Sequence, residues 1–186
     1  MLLGCLGCGT TREKLATEQL LLSDAVDRAV AHIDFSPLRG EKVYLDTQYV
    51  KQLPSNPNSF VNADYIVSSL RQQMVQAGCL LQENQEDAEY IAEARVGALG
   101  TDGHDVNLGV PPNQTLNAAA SFVAGGVALP TLPEISLARR QHDTAAAKIA
   151  VFAYRRESKE RAWQSGSSVA RSRAQGRWIL GAGPFE

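Results

Sequence analysis

The stretch that decides the fold runs from residue 62 to residue 99 and reads NADYIVSSLRQQMVQAGCLLQENQEDAEYIAEARVGAL. Asn62 is a residue type that caps helix N-termini, and Gly78 is placed as a C-terminal stop. Between them, residues at helical spacing define one face of a helix. That face comprises Tyr65, Ile66, Ser69, Leu70, Gln73, Met74 and Ala77.

Two strands are predicted directly after this helix. Cys79–Gln82 is short and apolar, and Glu83–Asp87 is a polar turn. Ala88–Leu99 then alternates, with one set of side chains facing opposite to Glu93 and Arg95. That set is Tyr90, Ala92, Ala94, Val96 and Ala98. Because the residue before the apolar run is Gly78, Cys79 is predicted to be a small buried residue.

The segments before residue 62 add a helix and a strand. Apolar spacing predicts a helix from about Ser23 to Asp34, while Leu20–Leu22 could extend it or form a short strand. Thr10 and Glu13 fit a capping box near its start. Lys42–Val50 alternates and is predicted as a strand.

The segments after residue 99 begin with a long Gly- and Pro-rich stretch, residues 100–133, which is predicted to be a loop. Strands follow at Ile135–Gln141, Ala146–Arg155 and Arg161–Ser165, with His142 in a turn between the first two. The predicted fold class is therefore α/β (α+β). A mixed, mostly antiparallel sheet carries two main helices packed on one face. Residues 1–9 are predicted to be a tether and residues 10–186 a single domain.

Composition excludes several classes of protein. Hydrophobic residues make up 44% and charged residues 20% of the 186 residues, which is typical of a packed domain and not of a disordered chain. No apolar run reaches the roughly 18 residues of a membrane-spanning helix. Charge is uneven, because residues 135–186 hold ten Lys/Arg against four acidic residues. A basic tail could contact phosphate, but solvated outward positions of strands are the preferred interpretation.

Few residues suggest chemistry. The chain lacks the common nucleophile, phosphate-loop, dinucleotide and zinc-protease motifs. Asp102, His104 and Asp105 form the best polar cluster, a conceivable ion site, but a turn with Asx hydrogen bonds is the preferred interpretation. We therefore predict no catalytic residues, no metal ligands and no cofactor.

Other conspicuous side chains have structural interpretations. His32 is predicted to pack near the first helix's apolar face, and Glu89 and Glu93 to lie at the surface. Trp163 and Trp178 could form an aromatic recognition surface, but core positions in the sheet are preferred.

The first eight residues are the most informative about function. Met1-Leu-Leu-Gly-Cys5-Leu-Gly-Cys8 contains two cysteines that each follow a small residue, as at the lipidation site of a bacterial lipoprotein. Leu2 favours Cys5, whereas the small polar run Gly9–Thr11 favours Cys8, which we prefer. Four residues precede Cys5, so a complete signal would require residues encoded upstream. The C-x-x-C spacing could also serve redox chemistry or, with Cys79 and a histidine, zinc, but neither motif is complete.

Several motifs together resemble an uncharacterised family of bacterial envelope lipoproteins. They are Cys8-Gly-Thr-Thr, Val43-Tyr-Leu-Asp46, Ala88-Glu-Tyr-Ile-Ala-Glu-Ala94, Gly97-Ala-Leu-Gly-Thr101, Trp163-Gln-Ser-Gly166 and the Trp178–Phe185 segment. More distantly, the chain is similar to the complement-resistance and curli-export lipoproteins and to the amino-terminal domain of TolB. The resemblance implies a small α/β fold, an anchored binding or assembly role, and self-association. Only Cys8 is carried over as a site residue, with Cys5 as the alternate.

These observations predict a non-catalytic protein with a structural, assembly or binding role. Its expected place is the cell envelope, lipid-anchored and facing the periplasm, most simply at the outer membrane. The expected partners are the membrane, through the lipid, and envelope proteins or a second copy; nucleic acid is not expected. The alternative is a soluble binding module whose basic C-terminal region contacts an anionic partner. A hydrolase using the loop at 100–133 is a further rival.

Overall fold

The computed structural model describes residues 15–52, 59–110, 135–180 and 182–185. Six strands form one sheet in the order β2-β1-β3-β4-β5-β6. The helices and strands, in chain order, are α1 (Leu15–Ala31), β1 (Lys42–Asp46), α2 (Gln48–Lys51), α3 (Ala63–Ala77), β2 (Leu80–Gln82), β3 (Tyr90–Val110), β4 (Ile135–Arg155), β5 (Arg161–Ile179) and β6 (Ala182–Phe185). Short 3-10 turns lie at Ser36–Leu38 and Gln85–Asp87.

The sheet is mixed. Strand β1 pairs in parallel with β2 and β3, whereas β5 and β6 are antiparallel. The turn at 156–160 is too short for anything but an antiparallel β4–β5 pair. In β3 and β4, Gly97 lies beside Lys148 and Gly103 beside Asp143, so sequence numbers rise in one strand as they fall in the other. The predicted fold class is confirmed.

The residues fall into two compact units. Unit 1 comprises Met1–Gly100 and Ala145–Ser172, and unit 2 comprises Thr101–Thr144 and Arg173–Glu186. All three described helices and the buried core belong to unit 1. In the part of the chain that the structure describes, no helix has both the length and the apolar character needed to cross a bilayer.

Helix α3 forms as its sequence predicts. The Asn62 side chain accepts a hydrogen bond from the Tyr65 amide at 3.0 Å, which satisfies one free N–H of the first turn. At the other end Gly78 has φ = 90°, a left-handed conformation that favours glycine. Ile66, Leu70 and Met74 are fully buried and fix the face that packs inward.

Helix α1 covers β5 through small side chains. Ser168, Ala170 and Ser172 are buried on β5, and this row of small residues leaves room for the helix. The Ser168 hydroxyl donates to the Ala29 carbonyl at 2.6 Å, and the Ser172 hydroxyl donates to the Asp24 carboxylate at 2.6 Å. The bond from Ser172, with a smaller contribution from Arg28, lowers the pKa of Asp24.

Helix α1 is longer at its start than the prediction that began near Ser23. Leu20–Leu22 is helical, so the alternative of a short strand there is wrong. Leu22, Val26 and Val30 are buried at helical spacing, and a strand would have exposed half of this apolar face.

The strand predicted over Lys42–Val50 is half correct. Strand β1 ends at Asp46, because the Asp46 carboxylate accepts a hydrogen bond from the Gln48 amide at 2.9 Å and turns the chain. The remaining residues form α2, which buries Val50.

Three other predictions are wrong because a strand continues where a loop, a turn or a strand end was predicted. Residues 100–110, predicted as the start of a loop, continue β3, while 111–134 lie outside the described residues. Ile135–Arg155 is one strand, so His142 is not in a turn. Strand β5 continues well beyond the predicted Ser165, past a bend where Gly166 has φ = 71°.

The buried face of α3 predicts which positions carry stability. Replacing Leu70 with Ala should lower the free energy of unfolding by roughly 2–5 kcal/mol, because it removes a fully buried side chain. Replacing Val75, which is exposed on the same helix, with Ala should change it by no more than about 0.5 kcal/mol. Urea unfolding measures both, and equal losses would contradict the assigned helix face.

Candidate functional site

The predicted lipidation residues, Cys8 and the alternate Cys5, lie outside the described residues. Cys79 is described and is buried, as predicted. Its thiol lies 3.9 Å from the Phe35 carbonyl oxygen, and burial raises the pKa of the thiol. Cys79 is therefore a protonated side chain packed in the core of unit 1.

The polar cluster at 101–105 is a strand segment, so the preferred interpretation as an Asx turn is wrong. Asp102, His104 and Asp105 are exposed residues of β3. Asp105 forms an ion pair with Arg139 of β4, and strand alternation sends His104 to the opposite face. Across the described ranges, no group of three His, Cys, Asp or Glu side chains is placed to hold a metal ion.

The remaining singled-out residues divide between surface and core. His32 is exposed just after α1 ends, so its predicted packing is wrong. Glu89 is exposed as predicted, whereas Glu93 is half-buried. The Trp163 ring lies 5.2 Å from the ring of the buried Phe35, which supports its core interpretation.

Trp178 occupies a different setting, in unit 2. A Cβ added to Gly176 would lie 2.6 Å from the Trp178 ring, and one added to Gly183 would lie 2.7 Å from it. The indole therefore lies directly across two glycines, and neither position can accept a side chain without moving the ring. This contact gives Trp178 a structural role in joining β5 to β6.

One cleft in unit 1 has a volume of about 680 Å³ and is strongly polar. It is lined by one tyrosine of β1, by the turn after β2 and by two cations of the turn after β4. These residues are Tyr44, Glu83, Asn84, Gln85, Glu86, Asp87, Arg156 and Lys159. Arg156 is held in place, because its Nε donates to the Ala88 carbonyl at 2.8 Å and its amide to the Glu89 carbonyl at 2.8 Å. The cleft presents carboxylates, amides and a fixed guanidinium to a ligand.

A second cleft, of about 390 Å³, lies between α1 and α3. At its centre, Asp27 accepts hydrogen bonds from the Tyr65 hydroxyl at 2.8 Å and from the Ser69 hydroxyl at 3.2 Å. Burial raises the pKa of Tyr65, and the bond to Asp27 raises it further. Because the Asp27 carboxylate of α1 accepts bonds from two hydroxyls of α3, it helps to hold the two helices together.

The sheet face opposite the helices carries a tyrosine–glutamate pair. Tyr154 of β4 donates a hydrogen bond to Glu93 of β3, and the Phe152 ring lies 6.1 Å away. The Lys159 ammonium lies 5.3 Å from the centre of the Tyr154 ring. Burial, followed by the bond to Glu93 and its negative charge, raises the pKa of Tyr154 to about 12.

Exposed cations also lie on this side of unit 1. Lys148 lies across Gly97, where an added Cβ would be 3.3 Å from the lysine side chain. Arg95 and Arg171 are exposed on the neighbouring strands β3 and β5. This arrangement can attract anionic groups.

Sequence reasoning missed both clefts. The residues of the larger cleft come from β1, the turn after β2 and the turn after β4, which are far apart in the chain. The one available signal was the density of charged and amide residues at Glu83–Asp87, which was interpreted only as a turn.

A protein-family model matches the chain over residues 2–186. The chain belongs to the DUF6655 family. This is a family of unknown function, so membership adds no ligand, reaction or partner. No curated protein matches the chain.

The Tyr154–Glu93 pair predicts an unusual titration. Tyr154 should ionise near pH 12, and Glu93→Gln should lower that pKa only part of the way toward 10, because burial is the larger cause. Since the folded pKa exceeds the unfolded one, this contribution to stability is complete below about pH 10 and is lost as pH rises toward 12. Ultraviolet titration, with Tyr154→Phe to identify the late component, measures it. An unchanged late component in Tyr154→Phe would contradict the assignment.

Proposed function

We propose that the protein is a non-catalytic, lipid-anchored protein of the cell envelope with a binding or assembly role. The observation that carries the proposal is the pair of lipidation-type cysteines directly before a folded domain. Cys8, with Cys5 as the alternate, would take the lipid, and the domain would face the periplasm, most simply from the outer membrane.

The position of α1 supports an anchor at Cys8. Helix α1 begins at Leu15, so a chain from Cys8 to Leu15 spans at most about 25 Å even when fully extended. Each lipid methylene that enters the bilayer contributes about 0.8 kcal/mol, and two or three acyl chains together give stable attachment. A lipid at Cys8 would therefore keep unit 1 close to the membrane surface.

The clefts of unit 1 support binding as the role of the domain. Most of their lining side chains are hydrogen-bond donors or acceptors, among them Tyr44, Asn84 and Gln85 in the larger cleft. Arg156 is fixed there by backbone carbonyls, so a ligand would meet a guanidinium that is already oriented. Such a surface suits a polar partner and requires no chemical step.

Acylation is tested with the three cysteines of the chain. The full-length protein, expressed with its upstream coding sequence in a related bacterium and fed an alkyne-labelled fatty acid, should incorporate the label. Cys8→Ser should abolish incorporation, because the thiol is the acceptor. Cys79→Ala is the matched control and should retain the label, since Cys79 is buried.

The outcomes separate the alternatives for the anchor. Loss of label in Cys5→Ser and its retention in Cys8→Ser would show that Cys5, and not Cys8, carries the lipid. A wild-type protein without any label, recovered entirely from the soluble fraction, would refute the anchored function.

A second candidate function is a binding module for an anionic partner. Arg173 and Arg177 are both exposed on the part of β5 that belongs to unit 2, and residues 135–186 carry ten Lys/Arg in total. Exposed arginines on one strand form a positive surface that phosphate groups recognise.

This second function predicts that binding of a polyanion depends on these arginines. Affinity for heparin, used as a polyanion probe, should fall at least tenfold in Arg173→Glu/Arg177→Glu. The control pair Lys42→Glu/Lys51→Glu makes the same change in net charge at exposed positions of β1 and α2, and should cause a much smaller loss. Equal losses from both pairs would show a response to net charge alone.

A further inference from the structure

Large exposed apolar side chains are concentrated in unit 2. The described residues include twelve exposed large hydrophobic side chains, and half of them lie in this smaller unit. We refer to these six as the apolar patch: Val106, Leu108, Leu137, Ile179, Leu180 and Phe185. Single exposed apolar residues are ordinary, but a group on adjoining strands indicates a contact surface.

Backbone pairing brings the members of the patch together. The Leu180 amide donates to the Leu137 carbonyl at 2.9 Å, which joins the end of β5 to the beginning of β4. Strand β6 folds back on β5, where Ile179 pairs with Ala182 and Arg177 pairs with Phe185. The Ser136 hydroxyl donates to the Asn107 side chain, so Leu108 lies beside the same end of β4.

Strand β3 separates polar from apolar side chains in this unit. Asp105 and Asn107 point to one side and bond to Arg139 and Ser136 of β4. Alternation sends Val106 and Leu108 to the other side, where both are exposed. On β3 the polar side chains are therefore bonded to β4, whereas Val106 and Leu108 leave apolar surface in water.

Leu180 is the clearest member of the patch. It has φ = 50°, a left-handed conformation more often occupied by glycine or asparagine, and it is 75% exposed. Neither local backbone preference nor burial explains a leucine at this turn. Its side chain is available to an apolar environment outside the protein.

Arginines adjoin the patch. Arg139 bonds to Asp105, so strand alternation sends Arg140 to the opposite side of β4, as it sends Val106 and Leu108 on β3. Arg177 is the β5 residue paired with Phe185, and both arginine side chains are exposed. Apolar side chains bordered by arginines match the boundary of a bilayer, where the alkyl groups enter the acyl region and the guanidinium groups meet phosphates.

We propose that the apolar patch of unit 2 binds the surface of an anionic phospholipid bilayer. This contact goes beyond the proposed anchor, because it requires no lipid attached to the protein. The patch would insert to the depth of the headgroups, and Arg140 and Arg177 would contact lipid phosphates.

The test uses the full chain with Cys5→Ser and Cys8→Ser, so that no acyl chain contributes. Vesicles of phosphatidylcholine with about one-third phosphatidylglycerol are floated on a density gradient with the protein. We expect Leu108→Ser/Leu180→Ser to reduce the vesicle-bound fraction at least tenfold. The matched control, Leu20→Ser/Leu80→Ser, changes two leucines of unit 1 that are 69% and 51% exposed and should bind as the parent does.

Each other result overturns the proposal. The parent protein could fail to bind these vesicles, or both leucine pairs could reduce binding equally. If Leu108→Ser/Leu180→Ser instead converted a dimer to a monomer in solution without changing vesicle binding, the patch would be covered by a second copy. Circular dichroism establishes that both variants are folded. Failure of acylation in the labelling experiment leaves this result unaffected, so the two proposals fail separately.

Discussion

The closure of unit 1 depends on the packing of α1 against the small-residue row of β5. Ser168 and Ser172 not only leave space for the helix but also bond to it, one at a backbone carbonyl and one at the Asp24 carboxylate. Both hydroxyls are buried, so without their partners each would impose a cost of desolvation of about 1–3 kcal/mol. The two bonds therefore fix where α1 lies along β5, and the rest of the core is arranged around this contact.

The elements with local signals were predictable from sequence. Helix α3 has a cap, a periodic face and a glycine stop within one continuous segment, and the structure reproduces all three. The long strands were not predictable in full, because their outer halves lack the apolar alternation that indicates a strand. At 101–105 and 142–144 polar residues suggested turns, yet pairing between β3 and β4 keeps both stretches extended. Tertiary pairing overrides local propensity there, as is general for strands.

The candidate site was less accessible to sequence reasoning than the fold. The cysteine anchor is a local motif and could be proposed at once, whereas both clefts of unit 1 are assembled from separate segments. Asp27 and Tyr65 illustrate the difficulty, since each alone is an ordinary helix residue and only the packing of α1 on α3 pairs them. The apolar patch is a similar case, because Leu108, Leu137 and Leu180 become neighbours only through strand pairing and a backbone bond.

The contact between α1 and β5 also has a consequence for biosynthesis. Ala29 and Ser168 are 139 residues apart, so unit 1 is a high-contact-order structure built from both ends of the chain. While a ribosome is still adding residues before 161, the apolar face of α1 has no β5 to cover it. Unit 1 therefore cannot complete its packing until β5 has emerged. At the proposed envelope location this delay would be useful, because translocation of an extended chain requires that folding come last.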